Sequence, residues 1–233
     1  MAALGAIADR HGLMIVEDAA QGLGSRFRGR MAGTFGRFGT LSFYPAKLLG
    51  CFGDGGAVMT NDDEVAGRLA LLRDHGRNAQ GKVVAWGFNS RLDNLQAAIL
   101  DFRLGTFGQD IDRRRAIAAR YQDRLGDLVE LVLPPPPVSD GDHFDVYQNF
   151  EIEAEHRDAL KEYLSARGVG TLVQWGGAAV HQFRELGFDQ TLPATERMMQ
   201  RALMLPMNLS VSDADVDYIC SCIRDFYRSG GQA

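Results

Sequence analysis

The hydrophobic pattern of the first 125 positions switches between helical spacing and short continuous apolar runs. The continuous runs read as buried strands, and they are Leu13–Glu17, Thr40–Tyr44 and Ala57–Thr60. Helical spacing is found over Ala2–His11, after Asn61, over Leu92–Phe107 and over Asp110–Leu125. This alternation predicts an α/β domain with a mainly parallel sheet.

A different pattern follows the proline run Pro134–Pro137, which is a rigid extended spacer. The predicted strands beyond it are Val146–Ile152 and Val169–Gln174, and the predicted helices are His156–Ala166, His181–Leu186, Pro193–Leu203 and Ser212–Tyr227. This order is typical of a small α+β domain. We therefore predict two domains, residues 1–110 and residues 111–233, with a bridging helix in the second.

The composition of the chain argues against several classes of partner. The net charge is -5 with both signs interspersed, which argues against a nucleic-acid partner. No apolar run approaches the ~20 residues that span a bilayer, and the amino terminus lacks the pattern of a signal peptide, so no membrane partner is expected. The three cysteines show no metal-ligand spacing, which predicts no metal site and a cytoplasmic protein. The arginine-rich stretch Gly22–Gly39 predicts a hairpin with solvated arginines, or alternatively a site that attracts phosphate.

Two polar residues stand where predicted strands end. Lys47 follows the run Thr40–Tyr44 on a short loop, and apolar surroundings would favour the neutral amine that attacks carbonyls. Asp18 follows the first run, at the carboxyl end of its strand, where open α/β sheets collect ligand groups. An acid and a lysine in these places suit pyridoxal phosphate, because its ring nitrogen pairs with a carboxylate and its aldehyde with an amine. The alternative is that Lys47 is a solvated loop lysine.

Five segments in order carry a family resemblance: Val16–Ser25, Leu41–Leu49, Gly53–Gly56, His75–Gly76 and Gly87–Ala98. Together they resemble the DegT/DnrJ/StrS family of sugar aminotransferases, which are pyridoxal phosphate enzymes of fold type I. The resemblance covers residues 1–125 well and the remainder loosely. It implies that residues 1–110 are the C-terminal part of the large cofactor-binding domain and that residues 111–233 are the small domain.

The resemblance also implies roles for individual residues. Lys47 would bind the cofactor aldehyde covalently and move protons, and Asp18 would pair with the pyridine nitrogen. Gln21 would lie near the ring hydroxyl, and Ser42 would donate to the phosphate. Asn89 would reach the phosphate of a neighbouring subunit, which implies a homodimer with a shared site. Further candidates, for substrate binding, are Tyr44, Arg91, Trp175 and His181.

The implied reaction transfers an amino group from glutamate or glutamine to a nucleotide-linked keto sugar, in the biosynthesis of amino sugars and polysaccharides. Where many relatives have a His-Tyr-Pro stretch, this chain has Gln174–Gly177, so the sugar stays open. A related dehydratase is disfavoured, because that branch has histidine in place of Lys47.

The family's phosphate-gripping turn and its aromatic ring partner normally precede the Asp18 strand. Only seventeen residues do so here, and a predicted helix and strand occupy them. The resemblance therefore predicts a chain truncated at its amino terminus, or a missing part supplied elsewhere. The alternative function is a non-catalytic partner subunit that keeps the motifs without a complete cofactor site.

Overall fold

The computed structural model describes residues 1–138 and 141–231, and the chain forms two compact units. The first unit comprises Met1–Ile111 and Val138–Gln148, and the second comprises Asp112–Pro137 and Asn149–Ala233. The return of Val138–Gln148 to the first unit was not anticipated from the hydrophobic pattern. It brings a segment from beyond the proline run next to the Lys47 loop.

Helices and strands alternate through much of the first unit. The helices of the described residues are α1 (Ala2–His11), α2 (Asp63–Leu72), α3 (Asn94–Leu104), α4 (Phe107–Leu125), α5 (Arg157–Ser165), α6 (Pro193–Arg201) and α7 (Asp213–Arg228). The strands are β1 (Val16–Asp18), β2 (Arg26–Phe27), β3 (Arg30–Met31), β4 (Phe38–Ser42), β5 (Gly56–Met59), β6 (Leu131–Val132), β7 (His143–Phe144), β8 (Phe150–Ala154) and β9 (Ala202–Leu205).

The central sheet of the first unit has the strand order β1-β4-β5. Strands β1 and β4 are parallel, with Asp18 opposite Thr40, so their carboxyl ends meet at one edge of the sheet. Strand β5 runs antiparallel to β4 and pairs Gly56 with Ser42. Phe43 and Leu49, which flank the Lys47 loop, are buried in one cluster with residues of α3. The sheet therefore supports both ends of that loop.

Glu17 fixes the loop that leads into β4. Its carboxylate accepts hydrogen bonds from the backbone N–H groups of Gly33 (2.8 Å), Gly36 (2.7 Å) and Phe35. Gly39, inside β4, lies so close to this loop that an added Cβ would be 2.1 Å from the carbonyl oxygen of Gly33. Only glycine fits such an approach without a shift of the backbone.

The hairpin predicted in the arginine-rich stretch is confirmed. Strands β2 and β3 pair antiparallel, and β7 adds to the other edge of β2. The Arg28 side chain forms an exposed ion pair with Asp142 at 2.8 Å. Exposed pairs of this kind contribute little to stability, about 0–1 kcal/mol, so the hairpin depends mainly on its backbone pairing.

The second unit is an antiparallel sheet, β6-β8-β9, packed with α5 and α7. Helix α7 begins with a capping box, in which Ser212 and Asp215 exchange hydrogen bonds with each other's backbone N–H groups. Its apolar face is buried, including Val216, Ile223 and Phe226. This supports the predicted α+β character of the C-terminal half.

Several predicted boundaries were wrong. The first strand begins at Val16 rather than Leu13, and the helix predicted from Asp110 begins at Phe107. The helix predicted over His181–Leu186 is instead two short 3-10 helices, Val180–Gln182 and Arg184–Leu186. The strand predicted over Val169–Gln174 is reduced to a single bridge between Leu172 and Met204, because positive φ angles at Trp175 (50°) and Gly176 (64°) turn the chain away. The helix predicted over Pro193–Leu203 ends at Arg201, and the next residues form β9. The strand predicted from Val146 begins at Phe150, because Tyr147 has a φ of 52°.

Candidate functional site

Asp18 lies exposed at the carboxyl edge of the parallel pair β1 and β4. Its Oδ1 accepts the N–H of Ala20 at 3.1 Å and the hydroxyl of Thr40 at 3.4 Å. Both hydrogen bonds use the same oxygen, so Oδ2 can accept a further donor such as a protonated ring nitrogen. Gln21 follows in the turn directly after this edge.

Ser42 is the last residue of β4 and stands at the same edge of the sheet. Its Oγ accepts the backbone N–H of Tyr44 at 3.3 Å. A hydroxyl that accepts from the backbone can still donate its own proton, which is what binding of a phosphate oxygen requires. Tyr44 itself is half exposed just beyond the strand.

Lys47 is carried by a tight loop whose backbone is closed on itself. The Lys47 N–H donates to the Tyr44 carbonyl at 2.8 Å, and the Cys51 N–H donates to the Phe43 carbonyl at 2.8 Å. The next side chain, Leu48, is only 3% exposed, whereas Lys47 is partly exposed. The loop is thus anchored in the core while the lysine reaches the surface at the edge that also holds Asp18 and Ser42.

Two side chains distant in sequence hold this loop from outside. The Gln148 amide donates to the Ala46 carbonyl at 2.9 Å and accepts the Leu48 N–H at 2.8 Å. Arg103, on α3, donates to the carbonyls of Leu48 (3.0 Å) and Gly50 (2.6 Å). Sequence reasoning missed both residues. A long polar side chain inside the predicted apolar helix Leu92–Phe107 was the available signal for Arg103.

A third contact extends this support. The Gln96 side chain, two turns earlier on α3, accepts the N–H of Phe52 at 2.8 Å. Gln96 falls in the segment Gly87–Ala98 that carries the family resemblance. Helix α3 therefore fixes the far side of the Lys47 loop at two levels.

Asn89 and Arg91 lie elsewhere in the first unit, on the irregular segment before α3. The Asn89 side-chain oxygen accepts from Arg91 Nε at 3.2 Å, and Arg91 is 3.6 Å from the carboxylate of Asp74. With α2 and β5, these residues line an open cleft of about 1290 Å³. Within the described residues, no hydrogen bond or ion pair links Asn89 or Arg91 to Lys47. The same cleft is lined by Thr40 of β4, whose hydroxyl contacts Asp18.

Trp175 and His181 belong to the second unit. The indole of Trp175 is 79% exposed and borders a cavity of about 350 Å³ that also includes Met198 and Met199. The His181 ring is buried, and its Nε2 is 3.1 Å from Glu196 Oε1. The Leu192 N–H and then His181 hold the pKa of the Glu196 carboxyl below its ordinary value. Trp175 therefore faces solvent, while His181 is engaged inside its own unit.

The groups at the carboxyl edge of β1 and β4 fit pyridoxal phosphate. Asp18 has a carboxylate, Ser42 a hydroxyl and Lys47 a primary amine, the types of group that would hold the ring nitrogen, the phosphate and the aldehyde of this cofactor. Among residues 1–138 and 141–231, no cluster of three or more His, Cys, Asp or Glu could hold a metal ion. In the same ranges, no helix is both long and apolar enough to cross a membrane.

The chain is similar to known proteins over nearly its whole length. The chain is 40% identical to dTDP-3-amino-3,4,6-trideoxy-alpha-D-glucose transaminase of Streptomyces venezuelae, over 100% of this chain and 62% of that protein. It is 38% identical to a pleiotropic regulatory protein of Geobacillus stearothermophilus, over 98% of this chain and 62% of that protein. The crystal structure of S. venezuelae DesV in complex with a ketimine intermediate superimposes with a TM-score of 0.90 at 40% identity, covering 97% of this chain and 61% of that chain.

The chain thus spans about three fifths of the length of these relatives and shares the fold of the part of the DesV structure that it covers. The sequence profile of one family, described as the DegT/DnrJ/EryC1/StrS aminotransferase family, matches residues 1–224. The chain belongs to the DegT/DnrJ/EryC1/StrS aminotransferase family.

Proposed function

We propose that this chain carries the reactive lysine of a pyridoxal phosphate-dependent aminotransferase that acts on a nucleotide-linked keto sugar. The observation that carries the proposal is the placement of Lys47 beside the edge at which Asp18 and Ser42 end two parallel strands. The name of the S. venezuelae relative, a transaminase of a dTDP-linked amino sugar, supports the substrate class. The amino donor proposed is glutamate or glutamine, and the pathway is amino-sugar biosynthesis.

When bound, pyridoxal phosphate supplies an electron sink through which an amino group passes from donor to acceptor. Lys47 Nζ would hold the aldehyde of the cofactor and would be freed when the amino group of the donor takes its place. As a general base and then a general acid, the free amine would take the proton from the donor carbon and deliver it to the carbon of the former aldehyde. The keto acid leaves before the sugar enters, so ping-pong kinetics are expected.

The remaining residues of this edge orient the cofactor. The Asp18 carboxylate would accept a hydrogen bond from the protonated ring nitrogen and so keep the ring charged, and the Ser42 hydroxyl would donate to the phosphate. Gln21, in the turn after Asp18, contacts the ring hydroxyl. On the substrate side, Tyr44 and Arg91 are proposed contacts with the sugar or its phosphates.

Trp175 is the stronger of the two proposed substrate contacts in the second unit. Its exposed indole presents a flat apolar face to solvent, and such faces stack on sugars and bases. His181 is a weaker candidate, because its ring is buried and bonded to Glu196.

We propose a homodimer in which Asn89 reaches the phosphate of the neighbouring subunit. Large apolar side chains near it are exposed on the isolated chain, among them Trp86, Phe88, Leu95 and Phe102. Burial of such side chains between two copies would stabilise an assembly. The free thiols of the chain, all buried, suit the proposed cytoplasmic location.

The experiment that tests the function is a visible absorption spectrum of the purified chain with pyridoxal phosphate, before and after glutamate. The proposal is supported by an absorption band that glutamate bleaches and that Lys47→Ala removes. Reduction with borohydride should then leave the cofactor attached to Lys47. Lys82→Ala is the matched control, because Lys82 is exposed on a loop after α2 and should change nothing. Wild-type turnover in Lys47→Ala would refute the assignment. Absence of bound cofactor in the wild-type chain would favour the non-catalytic partner subunit.

A further inference from the structure

The side-chain amide of Gln148 forms two hydrogen bonds around Lys47, one to each neighbouring peptide group, and this pair of hydrogen bonds is the Gln148 bracket. Gln148 Nε2 donates to the carbonyl of Ala46 at 2.9 Å, and its Oε1 accepts the N–H of Leu48 at 2.8 Å. These two peptide groups flank Lys47 on either side. We propose that Gln148 is a positioning residue for Lys47, which sets the direction and reactivity of its amine by fixing both neighbouring peptide groups. The inference rests on the proposed function of Lys47.

The chemistry of an amide side chain explains the choice of residue. Glutamine offers a donor and an acceptor on one planar group, which matches one carbonyl and one N–H of the loop backbone. A glutamate at this position would keep an acceptor for Leu48 but would face the Ala46 carbonyl with a second oxygen. A leucine of similar size would leave both peptide groups without their partner. Glutamate therefore removes one of the two hydrogen bonds, and leucine removes both.

The backbone before Gln148 is bent in a way that directs it to the loop. Tyr147 is 3% exposed and has a φ of 52°, a left-handed conformation that is strained for a residue with a large side chain. Its N–H donates to Asp145 Oδ1 at 2.8 Å, which stabilises the turn. Val146 is also buried and anchors the segment. Strain held in place by packing is common where a side chain must be aimed.

Gln148 acts differently from the other side chain that holds the loop. Arg103 binds the carbonyls of Leu48 and Gly50, which both follow Lys47 in the chain. Gln148 contacts the residue before Lys47 as well as the residue after it. A rotation of the Lys47 backbone would therefore break a Gln148 hydrogen bond first. Loss of the Gln148 side chain should therefore change the orientation of Lys47 more than the conformation of the whole loop.

The sequence allows a clean test, because the chain has three lysines, Lys47, Lys82 and Lys161. The full chain is incubated with pyridoxal phosphate, trapped with borohydride at a series of pH values, and each lysine is quantified by mass spectrometry. The variants are Gln148→Leu, Gln148→Glu and the control Gln80→Leu, which changes an exposed glutamine in the loop after α2. Lys82 and Lys161 are exposed and serve as internal standards. Hydrogen exchange of the Leu48 amide is measured in parallel.

In Gln148→Leu we expect the rate of trapping at Lys47 to fall by roughly tenfold or more, since small misplacements of a reacting group carry large rate penalties. The pH profile of Lys47 trapping should change, while that of Lys82 and Lys161 should not. The Leu48 amide should exchange faster. Gln148→Glu should keep much of the Leu48 protection yet lose part of the Lys47 rate, and Gln80→Leu should match the wild type.

Each outcome decides one question. Wild-type trapping rate, pH profile and Leu48 exchange in a folded Gln148→Leu would overturn the inference. If Gln148→Leu does not fold, the same comparison is made with Gln148→Glu. If the wild-type chain traps no pyridoxal phosphate at Lys47, the proposed function fails. The bracket is then judged by labelling of Lys47 with trinitrobenzene sulfonate and by Leu48 exchange, and unchanged values in the variants would overturn it.

Discussion

Arg103 Nη1 on α3 lies 2.6 Å from the carbonyl oxygen of Gly50, at the end of the loop that carries Lys47. A helix residue therefore closes a loop that begins in the sheet. Its second nitrogen reaches the Leu48 carbonyl at 3.0 Å, so one guanidinium serves two backbone acceptors. The planar fork of arginine suits this arrangement better than the point charge of lysine.

The first prediction is that Arg103→Ala lowers the free energy of unfolding by about 2–4 kcal/mol, because each hydrogen bond to a charged donor contributes about 1.5–3 kcal/mol. Arg103→Lys should recover only part of the loss. Urea unfolding of the two variants measures this. Arg68→Ala, an exposed arginine on α2, is the control and should stay within about 0.5 kcal/mol of the wild type. Equal stability of Arg103→Ala and Arg68→Ala would contradict the bridging role.

The second prediction uses two glycines in different surroundings. In Gly39→Ala the new Cβ would be 2.1 Å from the Gly33 carbonyl oxygen, so the backbone must move and stability should fall by about 3 kcal/mol. In Gly67→Ala, on α2, the Cβ meets nothing within 4 Å, and stability should rise by about 0.5–1 kcal/mol. Thermal unfolding of both variants measures the difference. A stable Gly39→Ala would show that the strand can yield.

The third prediction concerns the loss of stability at acid pH. Arg120 pairs with Asp217, and hydrogen bonds from Arg120 and Arg113 hold the pKa values of Asp217 and Asp213 below their ordinary value. A carboxyl with a depressed folded pKa stabilises the fold above its unfolded pKa, near 3.8, and this contribution is lost as the pH falls through the folded pKa. Arg120→Met should therefore be less stable than the wild type at pH 7 and equal to it in strong acid.

Urea unfolding at several pH values follows that difference. The control is Arg228→Met, whose ion pair with Asp225 is long, at 3.4 Å, and well exposed. It should show little loss at any pH. A stability gap between Arg120→Met and the wild type that persists in strong acid would mean that packing of the arginine stem, rather than charge, holds α4 to α7.

The fourth prediction concerns Trp175. Since its indole is exposed, Trp175→Ala should leave the melting temperature unchanged. If the indole stacks on the nucleotide sugar, the KM for that substrate should rise by about five- to hundredfold, with the KM for glutamate unchanged. Steady-state kinetics on the complete enzyme measure both values. Val129→Ala is the control, because Val129 is a 91% exposed apolar residue of the same unit and has no proposed role.

The sequence predicted the helices and strands whose bounds are set by residues within the same short segment. Helix α1 has the predicted bounds, since helical spacing and the left-handed Gly12 cap define it within eleven residues. The strands on either side of Lys47 were predicted from their apolar runs, although each is shifted by one or two residues. Asp18, Ser42 and Lys47 were predicted from short segments, and the structure places them at or just after the carboxyl ends of β1 and β4, while their roles stay predictions.

Features that depend on distant contacts were missed. Gln148 is 100 residues from Leu48 in the sequence, and nothing around it in the chain indicates that partner. The predicted strand Val169–Gln174 failed for a related reason, since the left-handed backbone at Trp175 overrides the apolar composition before it. The pattern predicted that Ala202 and Leu203, the first residues of β9, end a helix. Their apolar side chains suit a helix or a strand equally well, and only the pairing with β8 decides for the strand.

Glu17 and Asp18 are neighbours in β1. The Glu17 carboxylate accepts from three backbone N–H groups of the Gly33–Gly36 loop, whereas Asp18 ends the strand at the carboxyl edge of the sheet. Successive residues of a strand point to opposite faces, so two adjacent acids serve different purposes. In a mutational scan scored by activity, both positions would look essential. Only Glu17 variants would also lose soluble protein at elevated temperature. An engineer who wishes to alter the chemistry should therefore vary Asp18 and leave the preceding acid untouched.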